Sequence, residues 1–315
     1  MLNRRQLRIK ILHILYAYYI DEEPDMGAYE KQLYTSIEKD YELYLYFLSL
    51  VSEMQFRAID KIEAGLQKKL PTKEDLHPNT KFVTNAPLRV MKNSKVLEEA
   101  CKEHAVSWNG HEDVLKAIFN ALIETEEYKE YMASEERGHE HDRTYLLRFF
   151  KKHLVNEQVL HDWLEERSIF WNDDVDIIAS MVLKTIKLID EDAKDMTLLP
   201  LWRDEKDEKH FVDTVYRKTL ALGEEHGKLI AEHASNWDMD RIALMDLILM
   251  KMALTEARHL ETIPLKVTLN EYIELAKYYS TPKSSGFING VLDQLFTKLN
   301  DAGEIKKLGR GMIQG

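Results

Sequence analysis

PLKVTLNEYIELAKYYSTPKSSGFINGVLD, residues 264–293, reads as two helices folded about a proline. Thr268 and Glu271 have the T-x-x-E spacing of a capping box, in which each side chain satisfies the other residue's unpaired backbone N–H. A helix starting there carries Ile273, Ala276 and Tyr279 as far as Pro282. Ser284 or Ser285 starts the next, whose Phe287, Val291, Leu295 and Leu299 recur at the three- and four-residue steps of one helix face. Immediately upstream, Val215, Thr219, Leu222 and Leu229 predict a helix over Phe211–His233. Asp238 or Asp240 can cap another over Arg241–Ala257, with Ile242, Met245, Leu249 and Met252 on its apolar side.

The same period extends outward. Leu7, Ile11, Ile14 (or Leu15) and Tyr18 predict a first helix from Arg4 to Tyr19, and a second runs from Ile37 to Leu66. Pro71, Pro78 and Pro87 interrupt residues 70–95, which read as a loop or excursion with a short strand at Phe82–Val83. Residues 96–133 are helical again, 134–143 form an exposed turn, and Leu146–Leu164 and Val175–Ile189 are further helices. Residues 303–315 read as frayed. Only 12 Gly and 7 Pro punctuate 315 residues, so long helices are favoured over strands and turns. Trp171-Asn-Asp-Asp174 and Trp237-Asp-Met-Asp240, each followed by a helix, suggest a faint internal repeat. The fold class expected is all-α.

With 44% hydrophobic residues the chain has material for a core, which excludes disorder as its main state. A net charge of −12 argues against coating nucleic acid, though not against one local basic site. Cys101 is the single cysteine, so neither an internal disulfide nor a multi-cysteine metal cage is expected. The absence of a long apolar run argues against a membrane span. At the N-terminus Arg8, Lys10 and His13 interrupt the apolar positions, so the segment reads as a retained amphipathic helix and not a signal peptide.

Catalytic signatures are missing: there is no G-x-S-x-G elbow and no phosphate loop. Gly309, Gly311 and Gly315 mimic a dinucleotide fingerprint without its strand and helix. His139 and His141 read as a solvated loop and not a zinc site; His226 and His233 read as surface or interface histidines. Two groups stand apart. Arg4, Arg5, Arg8 and Lys10 form an acid-free basic start. Because cations oppose the dipole at a helix N-terminus, they make more sense if a polyanion meets them. Lys277, Tyr278, Tyr279 and Lys283 surround the Pro282 turn, with Phe287 following. Aromatic faces beside lysines suit single-stranded RNA.

Both groups fall in segments that resemble the NusB family of bacterial transcription antitermination factors. Arg4–Ala17 (RRQLRIKILHILYA) is similar to that family's arginine-rich first helix, and Pro264–Tyr279 with Ser284–Asp293 is similar to its closing helices. Glu256 stands at the position of a recurrent glutamate. The resemblance implies a helical bundle of NusB-like type with a large helical insertion: residues 1–20 the first helix, 21–203 an insertion or duplicated half, and 204–315 the C-terminal helical domain. It further implies a cytoplasmic adaptor without catalysis or cofactor. Such an adaptor binds boxA RNA with NusE, the small-subunit ribosomal protein, and joins NusA and NusG on RNA polymerase. Carried over by position, RNA would meet Arg4, Arg5, Arg8, Lys10, Tyr279, Lys283 and Phe287. Tyr16 and Glu256 would lie near the NusE side or support it. Gln6 and Leu7 interrupt the arginine cluster, and Lys283 replaces the acid frequent in relatives.

Two other classes compete with that reading. Ribosomal RNA cytosine methyltransferases carry a NusB-like module, but follow it with a cofactor-binding α/β domain and a nucleophilic cysteine. Here only about 15 residues follow the block and Cys101 precedes it, so no catalysis is expected. A helical protein-interaction scaffold that has lost RNA binding is motivated by the acidic middle of the chain.

Overall fold

The computed structural model describes residues 2–234 and 242–309. Among them every α or β element is an α-helix, as the period predicted. The chain divides into two compact units, residues 1–37 with 202–315, and residues 38–201.

In the first unit α1 (Arg4–Ile20) buries Leu7, Ile11, Leu12 and Leu15. Its start is set by Asn3, whose side chain accepts from the Arg5 and Gln6 N–H while the Gln6 Oε1 accepts from the Asn3 N–H. That reciprocal pair is a capping box. α2 (Met26–Leu66) begins well before the predicted Ile37, because Asp25 accepts from the Ala28 N–H and starts the helix just past Pro24. Met26–Ile37 belong to the first unit and the rest of α2 to the second.

The second unit continues with α3 (Lys73–Leu76), α4 (Ala86–Lys92), α5 (Lys95–Glu103), α6 (Glu112–Ile123), α7 (Glu126–Ala133), α8 (His139–Lys152), α9 (Gln158–Arg167) and α10 (Val175–Lys187). Residues 70–95 thus hold two short helices and no strand. Phe82 sits in a turn, its ring packed against Tyr128 and Phe149. The exposed turn is shorter than expected, since α8 starts at His139. The helix predicted over Leu146–Leu164 breaks at a 3-10 turn, Leu154–Asn156. The core is aromatic: Tyr46 meets Trp108, Trp163 and Trp171 edge-on, and the Trp171 indole N–H donates to the Lys39 carbonyl at 2.8 Å.

The chain returns to the first unit with α11 (Glu205–Ala221), α12 (Gly223–His233), α13 (Leu244–His259), α14 (Leu265–Tyr279) and α15 (Ser284–Asp301). The helix predicted over Phe211–His233 starts earlier, capped by Asp204, and breaks at Leu222. The capping box expected at Thr268 and Glu271 is not there. Both residues lie inside α14, and their side chains bond to Glu256 and Arg5 instead. Residues 303–309 are not frayed: Ile305 is buried, and the Leu308 N–H donates to the Glu261 carbonyl. Asp238, Asp240, Arg241, the Trp237 half of the repeat, Gly311 and Gly315 lie outside the described residues.

Candidate nucleic-acid interface

In the first unit α1 and α14 run side by side in the same direction. Arg5 grips Glu271 with two parallel bonds, Nε to Oε2 at 2.8 Å and Nη2 to Oε1 at 2.7 Å, across 266 residues of sequence. Eight residues further along α1, His13 meets Tyr279 edge-on at 5.1 Å, the same offset in numbering. A constant offset is what two parallel helices with equal rise require. Along this α1–α14 edge the basic start of the chain lies beside Glu271, and the turn after Tyr279 lies past His13, eight residues or about 12 Å of helix rise further on.

Beneath that edge lies an ion pair. Arg8 binds Glu256 of α13 through Nε–Oε2 at 2.8 Å and Nη2–Oε1 at 2.7 Å, and the two side chains are 3% and 0% exposed. Thr268 and Tyr272 hydroxyls donate to the same carboxylate at 2.8 and 3.2 Å, so Glu256 accepts four bonds. Phe211 and Tyr272 flank the guanidinium at 5.3 and 5.8 Å from their ring centres. Burial pulls the Arg8 pKa down, but the charge and hydrogen bonds of Glu256 outweigh it and the net shift is upward. Two charges this deep persist because each satisfies the other.

The sequence-predicted residues thus part company. Arg4 is partly exposed and paired with Asp207. Arg5 is exposed; its bond to Glu271 raises its own pKa and holds the Glu271 carboxyl below the usual range. Lys283 is exposed, Tyr279 half-buried and Tyr16 38% exposed. Arg8, Lys10, Phe287 and Glu256 are buried. For Arg8, Lys10 and Phe287 the expected place on an outer face is corrected, Phe287 filling the α15 core stripe with Ile288 and Val291; Glu256, expected near the NusE side or supporting it, clamps α1 from inside. The acid-free run of sequence is neutralised in space by Asp207, Glu271 and Glu256.

Two residues near the turn gain weight in the structure: Tyr278, named in the sequence only as part of the Pro282 group, and Asp246, which the sequence did not single out. Tyr278 is 79% exposed, and of the fifteen tyrosines only it and Tyr16 stand on the surface. Its place one residue before the inward Tyr279 was readable only once the helix phase was fixed. Asp246, 5% exposed on α13, holds the turn by accepting from Ser280 and Ser284 hydroxyls. No local signal marks it, because its partners are more than thirty residues away. His226, expected at a surface or an interface, is instead fully buried on α12, with no partner for either ring nitrogen among the described residues.

Charge divides unevenly. Of 55 acidic and 43 basic side chains, residues 38–201 hold 32 and 22, so the acidity lies almost wholly in the second unit. Among the described residues no three His, Cys, Asp or Glu side chains converge as metal ligands, and no helix is long and apolar enough to cross a membrane.

The model of the NusB family matches residues 174–296. The chain carries a NusB family domain. Three proteins named transcription antitermination protein NusB are similar to it. That of Salinibacter ruber is 45% identical over 105 residues, 33% of this chain and 66% of the relative. That of Chloroherpeton thalassium is 39% identical over 105 residues, 33% and 50% respectively. That of Natranaerobius thermophilus is 38% identical over 92 residues, 29% and 66%. The chain thus spans between half and just under two thirds of the length of these curated relatives. No solved structure matches it. The NusB family match begins before α10, inside the second unit, and leaves out α1.

Proposed function

We propose that this protein is a non-catalytic, RNA-binding transcription antitermination adaptor. It acts in the cytoplasm on boxA-type RNA with the ribosomal protein NusE, in an elongation complex containing NusA, NusG and RNA polymerase. The observation that carries the reading is the parallel pairing of α1 with α14. It ties Arg5 to Glu271 and His13 to Tyr279, so one pair of helices carries both the basic start and the turn after Tyr279, while the NusB relatives supply the functional context. In this reading the exposed cations and Tyr278 meet the strand. Arg8, Lys10 and Phe287 keep the edge rigid, Glu256 positions α1 from inside, and Tyr16 contributes to the NusE side.

A gel-shift titration with boxA-like and scrambled RNA, each with and without NusE, tests it. Preferential binding of the boxA-like strand, tightened by NusE and weakened by salt, is the expected result. The second reading, a protein-only scaffold, draws on one observation: Arg4, Arg5 and Arg8 each already face a carboxylate. Stable NusE binding with no RNA binding under any condition favours it.

A further inference from the structure

Within the second unit a cleft of about 220 Å³ opens between one face of α2 and the turn joining α5 to α6. Ser49, Glu53 and Arg57 stand on that face at successive four-residue steps. Trp108, Asn109 and Glu112 line the other wall. The turn has an unusual shape: Ala105, with φ 53°, occupies the left-handed region that side chains rarely adopt, and Gly110 has φ 82°. The floor is settled, since the Trp108 indole N–H donates to the Ser49 hydroxyl at 3.1 Å and Ser49 in turn donates to the Tyr46 carbonyl.

The ions above that floor are poorly matched to one another. Among the described residues Arg57 makes no hydrogen bond. Its nearest carboxylate oxygens, on Asp60 and Glu53, stand 3.6 and 4.0 Å away, and its Nε is shut off from water with no acceptor. The terminal Nη1 and Nη2 thus hold only long contacts, and that edge of a guanidinium is shaped for two oxygens of one oxyanion. Glu53 accepts no bond either, and burial pushes its carboxyl up against the opposing pull of Arg57. Glu112 uses one oxygen to accept the Gly110 N–H at 3.2 Å.

A simple anion on Arg57 would face Glu53 and Glu112, and a simple cation between those two would face Arg57. A ligand bearing both charges a bond or two apart satisfies all three. The volume is below the roughly 300–1,000 Å³ of pockets for drug-sized ligands, which points to a small metabolite. We propose that this cleft binds a free L-α-amino acid, with the carboxylate on the Arg57 Nη1 and Nη2 in place of their long contacts to Asp60 and Glu53, the ammonium between Glu53 and Glu112, and the side chain toward Trp108.

The test uses the full chain, with calorimetry and thermal melts against each of the twenty L-amino acids. For every hit, the matching deaminated acid and decarboxylated amine are run alongside. At least one amino acid should bind one-to-one and raise the melting temperature, while its acid and amine bind at least about tenfold more weakly. Arg57→Met and Glu53→Gln should each weaken it at least about tenfold without changing the far-ultraviolet circular dichroism. Should either variant misfold, Asn109→Trp, at the exposed mouth, should block binding without disturbing a buried group. Three results would overturn the proposal: no amino acid binding up to about 10 mM, the deaminated acid binding as tightly, or full binding by a folded Arg57→Met.

Discussion

Arg5 and Arg8 stand three residues apart on α1, yet their surroundings separate them. Arg5 holds Glu271 at the surface, where an ion pair contributes about 0–1 kcal/mol and can open for a competing phosphate. Arg8 is sealed with Glu256, Thr268 and Tyr272, where losing one partner strands a charge. Glu256→Gln should therefore lower stability by about 3–5 kcal/mol in urea melts. A triple change, Arg8→Met and Glu256→Leu with Tyr272→Phe, should recover part of that loss, since it leaves no orphaned ion and only the Thr268 hydroxyl without its acceptor. Tyr278 presents an exposed ring near the end of α14. Tyr278→Ala should weaken single-stranded RNA binding about five- to hundredfold, with Tyr278→Trp close to wild type and melting unchanged in both. Equal RNA affinity of the alanine and tyrosine forms in an anisotropy titration would show that Tyr278 does not touch the strand.

Helices were legible from their period, but their ends and phases were less so. The T-x-x-E at Thr268 matched a capping box by spacing alone. Pro264 starts α14 four residues earlier and leaves Thr268 free to bond Glu256. Boxes formed instead at Asn3 and Gln6, where no Ser or Thr advertised one, and at Thr72 and Asp75. On α12, helical spacing put His226 and His233 on one face without saying which way that face points. It points inward, and burial pushes the His226 pKa down to about 4, with Arg258 adding to the effect while Glu225 opposes it and His259 and Lys251 lie nearby. The unfolded chain binds that proton below pH 6.5, its ordinary value, and the folded chain does not until about pH 4. Stability should be full above that upper value and decline as pH falls through the interval. His226→Leu should flatten the decline by on the order of 1–3 kcal/mol, read from melts at pH 7 and pH 4.5.

At the scale of the whole molecule, the net charge of −12 hides a division. The unit that carries α1 and α14 is nearly neutral, so its exposed cations act against little local repulsion. Replacing Arg4 and Arg5 with alanine should lower the slope of log affinity against log salt by about 0.7 for each phosphate of a single strand that is no longer neutralised. A slope unchanged in filter binding from 50 to 200 mM salt would take both arginines off the RNA edge. The amino-acid order alone determined that this chain is all-α and that its two ends resemble one family. Helical period, scarce glycine and proline, and local motifs are properties of neighbours in sequence. Which arginine meets solvent, which tyrosine stands free and which histidine is entombed were decided only in three dimensions. Arg8 is buried by a glutamate 248 residues away, and no window of sequence contains both.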